Sequence, residues 1–263
     1  MVQTIGVLAL QGGFHEHLSL LHKALAHLKA SQPAKWQQHN PNFIEVRNSE
    51  QLSRCDALII PGGESTTIAF IAAQSGLLEP LRQFVKVDKK PTWGTCAGLI
   101  LLSEAANATK KGGQELIGGL DVRVQRNHFG RQVESFVADV NLPFLAEEGG
   151  SALYPGVFIR APIVQEILSS NGSQVPDASS ATTPDSANGV QVLAVLPNRT
   201  KRVHVANGGG EETDADNKAN DIVAVRQGNV LGTSFHPELT DDIRMHVWWL
   251  EEVLKAHSPA ATQ

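Results

Sequence analysis

One of the two cysteines of this 263-residue chain, Cys96, stands in Gly94-Thr95-Cys96-Ala97-Gly98, between a short strand-like segment and an apolar helix start at 99–102. A nucleophile on a sharp strand-to-helix turn is held on a strained backbone, and small residues two before and two after it prevent clashes. The helix that follows directs its first amides and its positive dipole end at the sulfur, a direction that favours an anionic nucleophile. The amide of Ala97 is then placed to donate to an oxyanion. The competing reading is a buried structural cysteine beside a tight turn.

A second chemical group lies at the end of a strand, in Ser234-Phe235-His236-Pro237-Glu238. Residues two apart on a strand share a face. His236 and Glu238 are therefore expected side by side, with the carboxylate orienting the ring and stabilising its imidazolium. That is the base and orienter a cysteine nucleophile needs. A third group, Pro61-Gly62-Gly63-Glu64-Ser65, directly follows an apolar run. Glycines there let backbone approach a ligand or turn an amide toward it. The segment lacks the Gly-Lys-Ser/Thr ending of a phosphate loop and the spacing of a dinucleotide fingerprint, so it reads as a substrate and oxyanion loop.

These groups need a frame. Residues 4–10 and 57–60 are continuous apolar runs, the pattern of strands buried on both faces. Phe14, Leu18, Leu21, Leu25 and Leu28 recur every three or four residues, an amphipathic helix. Residues 31–42 are polar with two prolines and read as a loop before a strand at 43–46. Ser65 is a suitable N-cap for a helix through Ile68 and Ile71. Residues 77–87 read as helix and 91–95 as a short strand. Strand and helix thus alternate over the first hundred residues, which predicts an α/β fold: a mostly parallel central sheet with helices on both faces.

The second half is richer in strands, expected at 120–124, 135–140, 156–160, 190–196, 222–226 and 230–235. Gln227-Gly228-Asn229 is a hairpin signal. A last helix carries Ile243, Val247, Leu250 and Leu254 on one face. Residues 169–190 and 206–220 are nearly free of apolar side chains and read as mobile surface insertions in a single domain spanning 1–263.

Composition narrows the function. Hydrophobic residues make up 41%, which excludes wholesale disorder, and the net charge of −5 gives no basic surplus for a phosphate backbone. Two cysteines cannot staple a fold of this size, so a reducing compartment is expected. No apolar run reaches the ~20 residues of a membrane span. The expectation is a cytoplasmic protein that binds neither nucleic acid nor membrane. His15-Glu16-His17 lacks the spacing of a zinc helix and reads as a solvated or partner-facing helix side; no metal site is expected. Cys55 has no glycine elbow and reads as structural.

Cys96 in GTCAG with His236 and Glu238 in HPE resembles the triad of class I glutamine amidotransferases. GVLALQGGFHEH near the start, PGGESTT at 61–67, GTCAGLILL at 94–102, RNHFGRQVESF at 126–136, VFIRAP at 157–162 and GTSFHPELTDD at 232–242 together resemble one family within that class. This is the family of glutaminase subunits of pyridoxal 5'-phosphate synthase, and the resemblance spans nearly the whole chain outside 31–42 and the two insertions. It implies a flavodoxin-like three-layer fold and hydrolysis of L-glutamine to glutamate and ammonia without a cofactor. The ammonia would pass to a (β/α)8-barrel synthase subunit in a hetero-oligomer that makes vitamin B6.

Carried over by motif, Cys96 is the nucleophile, His236 the general base and acid, and Glu238 the orienter. Gly62, Gly63, Glu64, Arg126, Ile159 and Arg160 line the glutamine site, and Ala97 and Gly63 serve the oxyanion. Gln11 meets the partner and helps order the oxyanion loop. His128 stands where a small hydroxyl residue is expected in many relatives. Other readings of the same residues are the glutaminase of a different biosynthetic amidotransferase and a non-catalytic regulatory module on this fold.

Overall fold

A computed structural model describes residues 4–107, 113–126, 135–146, 151–168, 189–197 and 221–257. The polar insertions (save residues 189 and 190), His128 and most of the RNHFGRQVESF block lie outside the described residues.

The first half alternates as expected. Strand β1 (Thr4–Leu8) leads to helix α1 (Phe14–Ser31), the short α2 (Pro33–Trp36) and β2 (Asn42–Val46). Then come α3 (Ser49–Ser53), β3 (Ala57–Ile60), α4 (Ser65–Gln74), α5 (Leu78–Arg82), a π-helical turn at Gln83–Val87, β4 (Thr92–Thr95) and α6 (Ala97–Leu102). The second half adds β5 (Ser103–Ala106), β6 (Leu120–Gln125), β7 (Ser135–Asn141), β8 (Leu153–Ile159), β9 (Ile163–Ile167), β10 (Val190–Leu196), β11 (Asp221–Gln227), β12 (Val230–Thr233) and α7 (Arg244–His257).

The main sheet runs β2-β1-β3-β4-β12-β11-β9-β6-β5, with β10 paired to β11. From β2 to β12 every neighbour is parallel. From β12 through β11 and β9 to β6 every pairing is antiparallel, and β5 returns parallel to β6. Strands β7 and β8 form a separate antiparallel ribbon.

Both faces of the main sheet are covered, as the continuous apolar runs require. Along β3, Ala57 and Ile59 join one core with α1 and α7 side chains, while Leu58 and Ile60 join the other with α4 and α6 side chains. Each Ile or Leu so buried contributes about 1.5–3 kcal/mol. The β7–β8 ribbon closes the first core through Tyr154 and Phe158 against Phe235, with ring centroids 5.7 and 5.9 Å apart. Gln227 and Val230 are paired across the two-residue turn Gly228–Asn229, the hairpin read from sequence.

Several elements differ from the sequence reading. Residues 31–42 are not all loop: Pro33 starts α2, which buries Trp36. β5 and β9 were not anticipated. β5 is only four residues, SEAA, with little β preference, and β9 follows β8 so closely that the apolar stretch reads as one element. Ser65 is not the cap of α4. Glu64 is, because its longer side chain reaches the amides of both Thr66 and Thr67.

Candidate active site

The parallel neighbours β1, β3, β4 and β12 end at one edge of the sheet, the edge where open α/β folds place their ligands. All three motifs leave from it.

At the end of β4, Cys96 adopts φ 48° and ψ −99°, a strained conformation for a non-glycine residue. Its amide donates to Thr233 O at 2.8 Å, which ties the turn to β12, and its carbonyl accepts from Ile100 N of α6. The glycines on either side are sterically required. A Cβ on Gly94 would stand 2.5 Å from the Gly98 backbone, and one on Gly98 would stand 2.1 Å from Ile60 O. The elbow reading is therefore met in geometry. Cys55 contrasts with it: its thiol donates to Gln51 O at 3.3 Å and burial pushes its pKa up to about 11, the state of an inert structural thiol.

His236 and Glu238 do meet, by a route other than the one expected. β12 stops at Thr233, and Pro237 opens a 3-10 turn at Pro237–Leu239 for which His236 is the cap. Proline lacks the N–H a strand would use, so the pair is aligned by a turn, not by strand alternation. Glu238 Oε1 accepts from His236 Nδ1 at 2.7 Å, and the Cys96 side chain lies near enough to the ring to favour its charged form. The His236 amide donates to Val157 O of β8 at 2.8 Å, which anchors the turn to the ribbon.

Cys96, His236 and Glu238 are 6%, 8% and 5% exposed, so their interactions act in a medium much less polar than water. Burial opposes a charged His236 ring. The nearby Cys96 side chain and the hydrogen-bonded Glu238 carboxylate outweigh it and raise its pKa from 6.5 to about 10. Burial likewise opposes the Glu238 anion, but the facing rings of His17 and His236 hold its carboxyl well below the usual range.

His17 is the residue sequence reasoning placed wrongly. It does not face solvent or a partner. It is fully buried, and its Nε2 lies 3.3 Å from Glu238 Oε2. The available signal was its phase: His17, Leu20, Leu21, Ala24 and Leu28 form the buried stripe of α1, with histidine filling an apolar position.

The Gly62–Gly63 loop leaves β3 and packs against the ring. A Cβ on Gly62 would stand 2.3 Å from His236 Cε1. Gln11, after β1, holds the same loop: its Oε1 accepts from Glu64 N at 2.7 Å. Ala97 begins α6 beside the thiol, as the elbow reading required.

Glu64 lines a cleft of about 530 Å³ together with Phe70, Gln114, Arg126 and Arg160. Its carboxylate accepts from the amides and hydroxyls of Thr66 and Thr67. Burial opposes the anion, but those four bonds bring its pKa down to about 2. Arg126 donates to Asn107 O at 3.2 Å, to Ser65 Oγ at 3.5 Å and to Gln114 Oε1. Gln114, unread in the sequence, also accepts from Ser65 Oγ at 3.0 Å. Arg160 follows β8 with φ 47°. Ile159 ends β8 beside it, 36% exposed and outside the lining of the cleft. The triad is not part of that lining; the segment from Gly62 to Glu64 joins the two places. Among the described residues, no group of three His, Cys, Asp or Glu side chains is arranged to hold a metal ion.

A cysteine on a strand-to-helix elbow, beside a histidine that a carboxylate orients, is the constellation of a cysteine-dependent acyl-transfer enzyme. Comparison with known proteins agrees. A profile of the SNO glutamine amidotransferase family matches residues 7–195 and 199–255. The chain is 43% identical over 251 residues to a probable pyridoxal 5'-phosphate synthase subunit PDX2 of Arabidopsis thaliana, covering 94% of this chain and 85% of that protein. It is 38% identical to the pyridoxal 5'-phosphate synthase subunit PdxT of Pyrococcus furiosus, covering 95% and 98%. A crystal structure of a glutamine amidotransferase superimposes with a TM-score of 0.64 at 36% identity, covering 95% of this chain and 98% of the other. The chain belongs to the SNO glutamine amidotransferase family.

Proposed function

We propose that this chain is the glutaminase subunit of a pyridoxal 5'-phosphate synthase, hydrolysing L-glutamine to L-glutamate and ammonia. The observation that carries the reading is Cys96 on a strained elbow at the sheet edge, close enough to His236 to shift its pKa, with His236 in turn hydrogen-bonded to Glu238. Family membership and the names of the relatives support the pathway.

The chemistry follows from the groups present. His236, whose raised pKa keeps the proton on its ring, faces the Cys96 sulfur as that sulfur attacks the side-chain amide carbon of glutamine. The oxyanion that forms is met by the Ala97 amide and the Gly62–Gly63 loop, each donor contributing a few kcal/mol. The imidazolium, stabilised by Glu238, then gives its proton to the departing ammonia and leaves a glutamyl thioester. Water, activated by the same ring, releases glutamate. Arg126 and Arg160 suit the α-carboxylate of the substrate, and Glu64, ionised down to about pH 2, suits its α-ammonium. Ile159, at the end of β8 beside Arg160, borders the glutamine site in this reading.

Ammonia passes to a synthase subunit, a (β/α)8 barrel in this reading, and Gln11 couples docking to the loop it holds. The chain acts as one domain in the cytoplasm; among the described residues no helix is long and apolar enough to cross a membrane. Ammonia release from glutamine, with and without the purified synthase subunit, tests the proposal. Weak turnover alone and strong stimulation by the synthase are expected. No turnover even with the synthase would leave a binding module, and capture of a different synthase as the endogenous partner would reassign the pathway.

A further inference from the structure

Two histidines behind the triad take no part in the steps above. His17 comes from the first turn of α1 and His246 from the first turn of α7, and both rings are fully buried. His17 Nδ1 lies 2.9 Å from His246 Nε2. His17 Nε2 lies 3.3 Å from Thr95 Oγ1 and the same distance from Glu238 Oε2. Toward Thr95 the contact has hydrogen-bond geometry. Toward Glu238 it is a close approach, outside hydrogen-bond alignment, of a ring nitrogen to a buried carboxylate oxygen that has no aligned donor. A buried carboxylate oxygen left bare is costly, so the ring proton nearest to it matters for where that carboxylate settles.

The proton positions follow from the network of partners around the two rings. Burial, the largest cause, holds His246 neutral, well below a pKa of 6.5. A neutral ring has one N–H, and His246 Nδ1 has no partner to receive it. Placed on Nε2, that proton is donated to His17 Nδ1. His17 then carries its own proton on Nε2, directed to Thr95 Oγ1 with Glu238 Oε2 also 3.3 Å away.

Resting on the amidohydrolase reading, we propose that His17, set by His246, is a positioning residue of the triad: its Nε2–H fixes Glu238 Oε2 so that Oε1 stays aimed at His236 Nδ1. The triad thus continues from the elbow through Glu238 into the helices that cover the sheet. The groups facing Glu238 are His236 from its own turn, His17 from α1 and the backbone of Gly13, where a Cβ would stand 3.1 Å from Glu238 Oε1.

Glutamine and asparagine at position 17 separate this role from simple core filling. The amide nitrogen of Gln reaches where Nε2 stood; that of Asn reaches only where Nδ1 stood. In the complex with the synthase, His17→Asn should lower kcat about 10- to 100-fold, the size of a lost hydrogen bond to a charged group, with KM for glutamine within about two-fold. His17→Gln should recover most of that loss. His246→Phe should give a smaller fall. Alkylation of Cys96 by iodoacetamide, followed on its own peptide, should slow in His17→Asn and recover in His17→Gln. Equal impairment of both variants, unimpaired turnover in both, or a rise in KM with kcat kept would overturn the proposal. If the wild-type complex releases no ammonia, the amidohydrolase reading falls, while the alkylation series still decides whether His17 positions the triad.

Discussion

The two halves of the main sheet do different work. From β2 to β12 the strands are parallel, so β1, β3, β4 and β12 all deliver their C-terminal ends to one edge. Gln11, the Gly62–Gly63 loop, Cys96 and His236 follow those ends within a few residues. From β12 to β6 the strands are antiparallel, and their ends alternate between edges. That half, with the β7–β8 ribbon, supplies Arg126 and Arg160 to the cleft wall and an anchor for the His236 turn. Parallel strands gather chemistry from distant parts of a chain; antiparallel ones here build the wall it faces.

If this division is right, damage at the parallel ends should strike turnover and damage at the wall should strike binding. Cys96→Ala should abolish ammonia release by the synthase complex while docking, followed by size-exclusion chromatography, persists. Gly62→Ala places a methyl 2.3 Å from His236 Cε1, against a buried ring held by Glu238. A displacement near 1 Å at such a site costs about 100-fold, so kcat should fall at least that far. On the wall, Arg160→Ala should raise KM for glutamine about 10- to 100-fold, the loss of a hydrogen bond to a charged group, with a smaller change in kcat.

Two smaller effects sharpen the contrast through pH. The His236 pKa is raised in the folded state, so its contribution to stability is complete below about 6.5 and disappears as pH rises through about 10. The Tm difference between wild type and His236→Gln should therefore shrink between pH 7 and pH 10. Glu64 is shifted the other way, to about 2, so its contribution is present above about 4.5 and fades as pH falls toward 2. Glu64→Gln should cost about 1 kcal/mol of stability at pH 7, the usual size of a lost cap, and close to nothing near pH 2. Urea titrations at the two pH values check it.

The same division governs how much could be read from sequence. At the parallel ends each motif is local: an apolar run, then glycines, then the reactive side chain, so Cys96, His236, Gly62 and Gly63 could be named directly. Even there, the proline that turns the chain after His236 was read as part of a strand end, and Glu64 rather than Ser65 caps α4. In the antiparallel half, β5 and β9 are too short and too mixed to show a period, and Gln114 joins Arg126 through a contact that no local pattern encodes. His17 was misjudged for a third reason. Its neighbours His15 and Glu16 are solvent-exposed, and reading the three together hid the one that is in phase with the core.

The central claim is tested most directly on the sulfur itself. Turnover of glutamine by the wild-type complex, quenched in acid and digested, should yield a glutamyl thioester on the Cys96 peptide, absent from Cys96→Ala, which should release no ammonia. Sustained ammonia release with no adduct on Cys96, undiminished in Cys96→Ala, would contradict it.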